Sequence, residues 1–107
     1  MTEAEFQRAV VELAKWCGWL VFHPRPAQRS GSWATHFDGD AGFPDLVLAH
    51  AERGTVFAEL KAERGRVTPG QRQWLNTLED AEQTAVVWRP SDWEAIVHRL
   101  QGTERVR

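Results

Sequence analysis

The chain has 107 residues, a size typical of one domain, and its 42% hydrophobic content allows a modest core. Its formal charge of −2 excludes a global basic field, so any nucleic-acid surface must be local, and its single cysteine excludes an intramolecular disulfide and a cysteine-built zinc site. No apolar run reaches membrane-spanning length and no signal-peptide pattern opens the chain, so we expect a soluble, cytoplasmic protein.

The first predicted element is an amphipathic helix from residue 2 to about residue 17. Its apolar residues recur at three- and four-residue steps, and Cys17 at its end is expected to be buried. Thr2 and Glu5 match a capping box, which gives Glu5 a structural role. Glu3 lies at the top of the inward-facing stripe, where a carboxylate either gains from the helix dipole or reaches a charged site.

A short apolar run at 19–23 predicts the first strand, and residues 24–43 then read as a long loop rich in Gly, Ser and Pro. The loop residues that could contact phosphates or stack on a base are Arg25, Arg29, Trp33 and His36. Asp38 and Asp40 cancel the two arginines, so a solvated loop with Trp33 folded onto the core fits the pattern equally well. His23, at the strand end, either touches substrate or caps the sheet.

Two apolar runs, 46–49 and 55–60, predict a hairpin with a five-residue polar connection at 50–54. Because side chains alternate along a strand, Glu59 and Lys61 share one face, and strand pairing can bring Asp45 close to both. Two carboxylates suit a hard cation such as Mg²⁺, and a neighbouring lysine can orient a water or stabilise charge on a phosphoryl group. A surface Glu–Lys pair is the plainer interpretation, but Pro44-Asp45 entering the partner strand makes the pattern more specific.

The segment after Lys61 forms a local basic patch beside this predicted site. Its positive residues are Lys61, Arg64, Arg66 and Arg72, against one acidic residue, Glu63. Such a patch suits a phosphodiester backbone, although a run this short also fits a solvated turn.

The remaining elements are a helix at 68–80, a strand at 84–88 and a last helix from about residue 91. Thr68 and Gln71 match a second capping box, with Pro69 at the first helical position. Ser91 and Glu94 predict a third capping box. The expected buried residues of the two helices are Trp74, Leu75 and Leu78, and then Trp93, Ile96, Val97 and Leu100.

These motifs resemble those of the PD-(D/E)xK, or restriction-endonuclease-like, nuclease superfamily, and more closely those of the small VRR-NUC nucleases common in phages and their hosts. The residues that carry the resemblance are Thr2-Glu3, Gly42-Phe43-Pro44-Asp45, Glu59-Leu60-Lys61 and Thr68-Pro69-Gly70-Gln71. The resemblance implies one nuclease domain over residues 1–107. Its expected fold is an α/β core with the order α-β-β-β-α-β-α and a small mixed sheet flanked by helices.

The resemblance also implies roles for individual residues. The groups that would hold Mg²⁺ or Mn²⁺ are Asp45, Glu59, the Leu60 carbonyl and an acid of the first helix. That acid is Glu3 by its helical phase, and Glu5 is the alternative. Lys61 would position the attacking water and Gln71 would line the site, giving DNA products with a 5′-phosphate and a 3′-hydroxyl. Relatives act on branched DNA as dimers, so a homodimer is expected, and a helicase or other phage replication or packaging protein is a candidate partner.

Two other function classes stay open at this stage. One is a nucleic-acid-binding module that keeps the fold but does not cut DNA. The intact set of Asp45, Glu59 and Lys61 argues against this class. The other is a small protein–protein adaptor whose charged residues are only surface.

Overall fold

The computed structural model describes residues 1–24, 27–29, 32–34 and 39–103, and for 27–29 and 32–34 it describes the backbone alone. The elements in chain order are α1 (Glu3–Trp16), β1 (Leu20–Phe22), β2 (Ala27–Arg29), β3 (Ser32–Ala34), β4 (Leu46–His50), β5 (Gly54–Leu60), α2 (Pro69–Asp80), β6 (Thr84–Trp88), a 3₁₀ turn (Pro90–Asp92) and α3 (Trp93–Gln101). Apart from the antiparallel pair β2–β3, this is the predicted order of helices and strands. No helix in the described ranges has the length and apolar character needed to cross a membrane.

Four strands form one mixed sheet in the order β1-β4-β5-β6. The pairs β1–β4 and β4–β5 are antiparallel, whereas β5 and β6 run parallel. Parallel neighbours need a crossover connection, and α2 supplies it, as predicted. The crossover is important for the site because it brings the end of β6 beside the end of β5.

The core lies between the sheet and helices α1 and α3. Its buried residues are Phe6, Val10, Ala14, Trp19, Leu46, Leu48, Val56, Ala58, Leu60, Trp88, Ile96 and Leu100. On β5 the buried apolar positions alternate, which leaves Phe57 and Glu59 on the opposite face, where Phe43 contacts both Phe57 and Trp74 of α2. The result is an α/β sandwich with helices on both faces of a small sheet.

Both predicted capping boxes at the starts of α1 and α2 are present. Thr2 Oγ1 accepts from the Glu5 amide at 3.1 Å, and Glu5 Oε1 accepts from the Thr2 amide at 2.8 Å. The same reciprocal pair joins Thr68 and Gln71 at 3.2 and 2.9 Å. Each box satisfies helix N–H groups that have no partner within the helix, which fixes where the helix begins.

The predicted third capping box is wrong. The Ser91 hydroxyl donates to Glu63 Oε2 at 2.6 Å instead of capping α3, and a 3₁₀ turn precedes the helix. Trp93, predicted to be buried, is 38% exposed, whereas Ile96 and Leu100 are buried as expected.

Three further expectations need correction. The hairpin connection between β4 and β5 has three residues, not five, because His50 pairs with Gly54. Gly54 has a φ of +90°, a conformation that favours glycine and closes the tight turn. The stretch 24–43, read as a loop without regular structure, contains the antiparallel pair β2–β3. Cys17 is only half-buried against the core.

Candidate active site

The register of β4 and β5 places two carboxylates beside each other at one end of the sheet. Leu46 pairs with Ala58, so the next position along each strand brings Asp45 next to Glu59. The Leu60 amide donates to Asp45 Oδ2 at 2.9 Å, which fixes the Asp45 carboxylate across the two strands. The predicted proximity of Asp45 to the Glu-x-Lys strand is therefore present in the fold.

Glu59 is the central side chain of this cluster and is only 2% exposed. Its Oε2 accepts from Gln71 Nε2 at 3.0 Å and lies 3.5 Å from Lys61 Nζ. Its Oε1 is buried and has no hydrogen-bond partner among the described residues. A buried carboxylate oxygen without a donor is costly, unless a ligand such as a cation occupies the space beside it.

The surroundings of Glu59 oppose its ionisation. Burial raises the pKa of its carboxyl to about 7, and the nearby negative charge of Asp45 adds to the rise. Lys61 acts in the opposite direction and lowers the pKa. A divalent cation bound beside Glu59 and Asp45 would offset this cost of ionising Glu59.

Gln71 serves the helix cap and the carboxylate cluster at the same time. Its Oε1 accepts from the Thr68 amide, so its Nε2 must be the atom that faces outward, and this atom donates to Glu59. Because the backbone N–H of Thr68 can only donate, the cap also fixes the orientation of the Gln71 amide. The two roles considered for Gln71 in the sequence are therefore compatible.

A close backbone contact sets the distance between the Asp45 motif and the start of α2. Gly42 has a φ of +103°, and a Cβ built on it would lie 2.5 Å from the Gly70 carbonyl carbon. From the other side, a Cβ on Gly70 would lie 3.1 Å from the Ala41 carbonyl oxygen. Trp74 Nε1 donates to the Asp40 carbonyl at 3.1 Å and ties the same segment to α2. The two glycines thus allow the approach that brings Gln71 to Glu59.

The predicted helix acid lies on α1, outside the β4–β5 pair that positions Asp45 and Glu59. Glu3 is exposed in the first turn of α1. Gln7, one turn later, contacts His23 at the end of β1 with 3.2 Å between Nε2 and Nδ1, so this part of α1 lies at the same end of the sheet as Asp45. The alternative acid, Glu5, uses its carboxylate in the capping box. The role of Glu3 stays a prediction.

The candidate metal centre consists of two carboxylates, those of Asp45 and Glu59. Across the described ranges, no group of three or more His, Cys, Asp or Glu side chains is arranged to hold a metal ion. Mg²⁺ commonly binds one or two protein carboxylates and keeps several waters, so Asp45 with Glu59 Oε1 fits such an ion. The metal role of the Leu60 carbonyl stays a prediction, although the Leu60 amide is bound to Asp45.

The predicted DNA-binding arginines fall into two groups. Arg64, Arg66 and Arg72 are exposed, the first two in the loop after Lys61 and the third beside Gln71 in α2. Arg25 lies outside the described residues, as do His36 and Asp38. The side chains of Arg29 and Trp33 also lie outside the described part of the chain.

Arg89 and Ser91 were not identified as site residues from the sequence. Both bind the loop at residues 62–66, which follows Lys61. Arg89 Nη1 donates to three carbonyls of that loop, and Ser91 binds Glu63. The parallel crossover was the available signal, because it brings the residue after β6 beside Lys61.

Comparison with known proteins identifies the family of the chain. The model of the VRR-NUC domain family matches residues 11–92, a range that includes Asp45, Glu59, Lys61 and Gln71 but begins after Glu3. A solved structure described as a VRR_NUC domain protein is similar to the chain in fold, with a TM-score of 0.53 and 19% identity over 96% of this chain and 84% of that chain. No curated protein matches the chain. The chain belongs to the VRR-NUC domain family, and this membership implies a nuclease-like function.

Proposed function

We propose that the protein is a divalent-metal-dependent DNA endonuclease that hydrolyses phosphodiester bonds. The observation that carries the proposal is the buried Glu59 Oε1, which has no partner among the described residues and lies beside a second carboxylate. A module that only binds DNA has no need for a buried carboxyl whose charged form is disfavoured by burial and by a neighbouring acid, as in Glu59.

Asp45 and Glu59 are the residues that would hold Mg²⁺ or Mn²⁺. Bound there, such an ion neutralises charge on the phosphate and lowers the pKa of a water molecule. The Leu60 amide keeps Asp45 in place, and Gln71 together with Lys61 holds Glu59 Oε2, so that Oε1 is the oxygen left for the ion.

Lys61 would be the residue that orients the attacking water. Its Nζ is 3.5 Å from Glu59 Oε2, and its side chain is 12% exposed, so the ammonium is held at the edge of the cluster. In the reaction, the water oxygen forms a bond to phosphorus while the bond from phosphorus to the 3′-oxygen breaks. The water loses a proton and the leaving 3′-oxygen gains one, which gives a 5′-phosphate and a 3′-hydroxyl.

The proposal is tested by incubating the purified protein with linear and branched DNAs in Mg²⁺, Mn²⁺ or chelator. We expect cleavage with either metal and none with chelator. Lys61→Ala, Asp45→Ala and Glu59→Ala should each lower the cleavage rate by at least about 100-fold, the order seen when one transition-state contact is removed. The control is Lys15→Ala, an exposed lysine in the last turn of α1. Undiminished nicking by Lys61→Ala would overturn the mechanism.

A further inference from the structure

The loop at residues 62–66 continues directly from Lys61 and holds the exposed Arg64 and Arg66. The Lys61 amide donates to the Trp88 carbonyl at 3.0 Å, which extends the parallel β5–β6 ladder past Leu60. Arg89 therefore lies opposite Lys61, where the loop begins.

Arg89 binds the backbone of this loop through one guanidinium nitrogen. Its Nη1 donates to the carbonyls of Ala62 at 2.8 Å, Glu63 at 3.1 Å and Gly65 at 2.8 Å. The Gly65 amide closes a turn onto the Ala62 carbonyl at 2.9 Å. Surface loops usually leave such carbonyls to water, whereas charge-assisted bonds from a side chain fix one backbone conformation.

A second contact holds the same loop from the turn before α3. Glu63 accepts from the Ser91 hydroxyl at 2.6 Å and from the Ser91 amide at 2.9 Å. The Ser91 hydroxyl bond holds the pKa of Glu63 below its ordinary value, so the contact persists at neutral pH. The loop is thus bound both through its carbonyls and through its acidic side chain.

We propose that Arg89 is a positioning residue for DNA, which holds the 62–66 loop in the conformation that presents Arg64 and Arg66 to the phosphates flanking the cleaved bond. Arg89 acts through the loop backbone and does not touch the DNA. A loop ordered before binding loses less conformational entropy when it meets the phosphates, so its arginines bind more strongly. The inference rests on the proposed function for the identity of the ligand.

A double-mutant cycle on DNA affinity tests this role. Binding of a labelled duplex is measured by fluorescence anisotropy with chelator present, so that metal-dependent cleavage does not interfere. We expect the combined change Arg64→Gln and Arg66→Gln to weaken binding about 10-fold in the wild-type background but less than about 3-fold in Arg89→Met, since contacts that share one support are not additive. The same factor in both backgrounds would overturn the inference.

A matched control separates positioning from general destabilisation. Arg53 also donates from Nη1 to backbone carbonyls, those of Cys17 at 3.3 Å and Leu100 at 3.1 Å, but at the opposite end of β5. Arg53→Met should lower the melting temperature while the arginine pair keeps its wild-type effect on affinity. If the arginine pair also lost most of its effect on affinity in Arg53→Met, loosening of the fold anywhere would suffice, and the inference would fail.

Ser91→Ala provides a milder variant if Arg89→Met does not fold. It removes the 2.6 Å bond to Glu63 and leaves Arg89 in place, so it should reduce the effect of the arginine pair in the same direction by a smaller factor. An unreduced effect in Ser91→Ala, where Arg89→Met does not fold, counts against the inference. If Arg89→Met reduces the effect of the arginine pair on affinity but the protein does not cleave DNA, the role of the loop is supported and the endonuclease proposal is rejected. If the protein cleaves DNA but the effects of Arg89 and of the arginine pair are additive, the endonuclease proposal is supported and the role of the loop is rejected.

Discussion

The two oxygens of Glu59 have different surroundings, and this difference is the basis of the functional argument. Oε2 has two positively polarised neighbours, Gln71 Nε2 at 3.0 Å and Lys61 Nζ at 3.5 Å. Oε1 has no partner in the described part of the chain, although Asp45 is close enough to raise the pKa of Glu59. The charged form of Glu59 is thus stabilised at Oε2 only, and a cation bound at Oε1 would stabilise it further.

The stability of the metal-free protein should consequently fall as the pH rises. The pKa of Glu59 increases from 4.5 to about 7 on folding, so between these values the folded state binds more protons than the unfolded state. The contribution of Glu59 to stability is complete below pH 4.5 and is lost as the pH rises through 7. Melting temperatures measured with chelator across this window should show the decline.

Two comparisons make this prediction specific. Glu59→Gln removes the titrating group and should flatten the decline, whereas Glu12→Gln, an exposed carboxylate on α1, should leave it unchanged. Adding Mg²⁺ should raise the melting temperature more at pH 8 than at pH 5, because the cation binds the ionised pair. A decline of equal slope in Glu59→Gln would assign it to other groups.

At the scale of elements, the site depends on the approach of the segment before β4 to the N-terminus of α2. Gly42→Ala should cost about 1–3 kcal/mol through backbone strain and should also push Asp45 away from Gln71, because the new Cβ would lie 2.5 Å from Gly70. Its cleavage rate should fall further than its stability alone explains. The matched control is Gly39→Ala, whose φ is +115° but whose Cβ would meet no described atom within 4 Å. Equal losses of cleavage in the two variants would contradict this account.

Patterns that are local in the sequence predicted most of the elements correctly. Two capping boxes fixed the starts of α1 and α2, and alternation along β5 placed Glu59 and Lys61 on one face. The third box failed because Glu63, 28 residues away, binds the Ser91 hydroxyl, and no local pattern records such a competitor. The contacts of Arg89 were missed for the same reason, since they depend on how β6 aligns with β5.

In the candidate site too, contacts set by local patterns were predicted and contacts between distant segments were not. The proximity of Asp45 to Glu59 follows from the hairpin register, which two adjacent apolar runs predict. The close approach of Gly42 to Gly70 could not be predicted, because it joins two motifs that are far apart in the chain. A glycine in a motif does not indicate which part of the chain packs against it. The β2–β3 pair was missed because residues 24–43 show no apolar period.

At the scale of the whole molecule, DNA binding should depend on a local patch, since the net charge is −2. If Arg64, Arg66 and Arg72 each neutralise one phosphate, replacing any one by Gln should reduce the slope of log affinity against log salt by about 1. Binding titrations over a range of salt concentrations measure this slope. The control Lys15→Gln, an exposed lysine at the far end of α1, should leave the slope unchanged, and a uniform change in all four variants would argue against a local patch.

The central claim is that Asp45 and Glu59 together hold a divalent cation, and anomalous diffraction from crystals soaked in Mn²⁺ measures it most directly. The account predicts one strong anomalous peak within bonding distance of the Asp45 carboxylate and of Glu59 Oε1, and its loss in Glu59→Gln crystals soaked in the same way. The result that would contradict this claim is a protein that cleaves DNA in Mn²⁺ but whose crystals show no anomalous peak between these two side chains, or show it elsewhere.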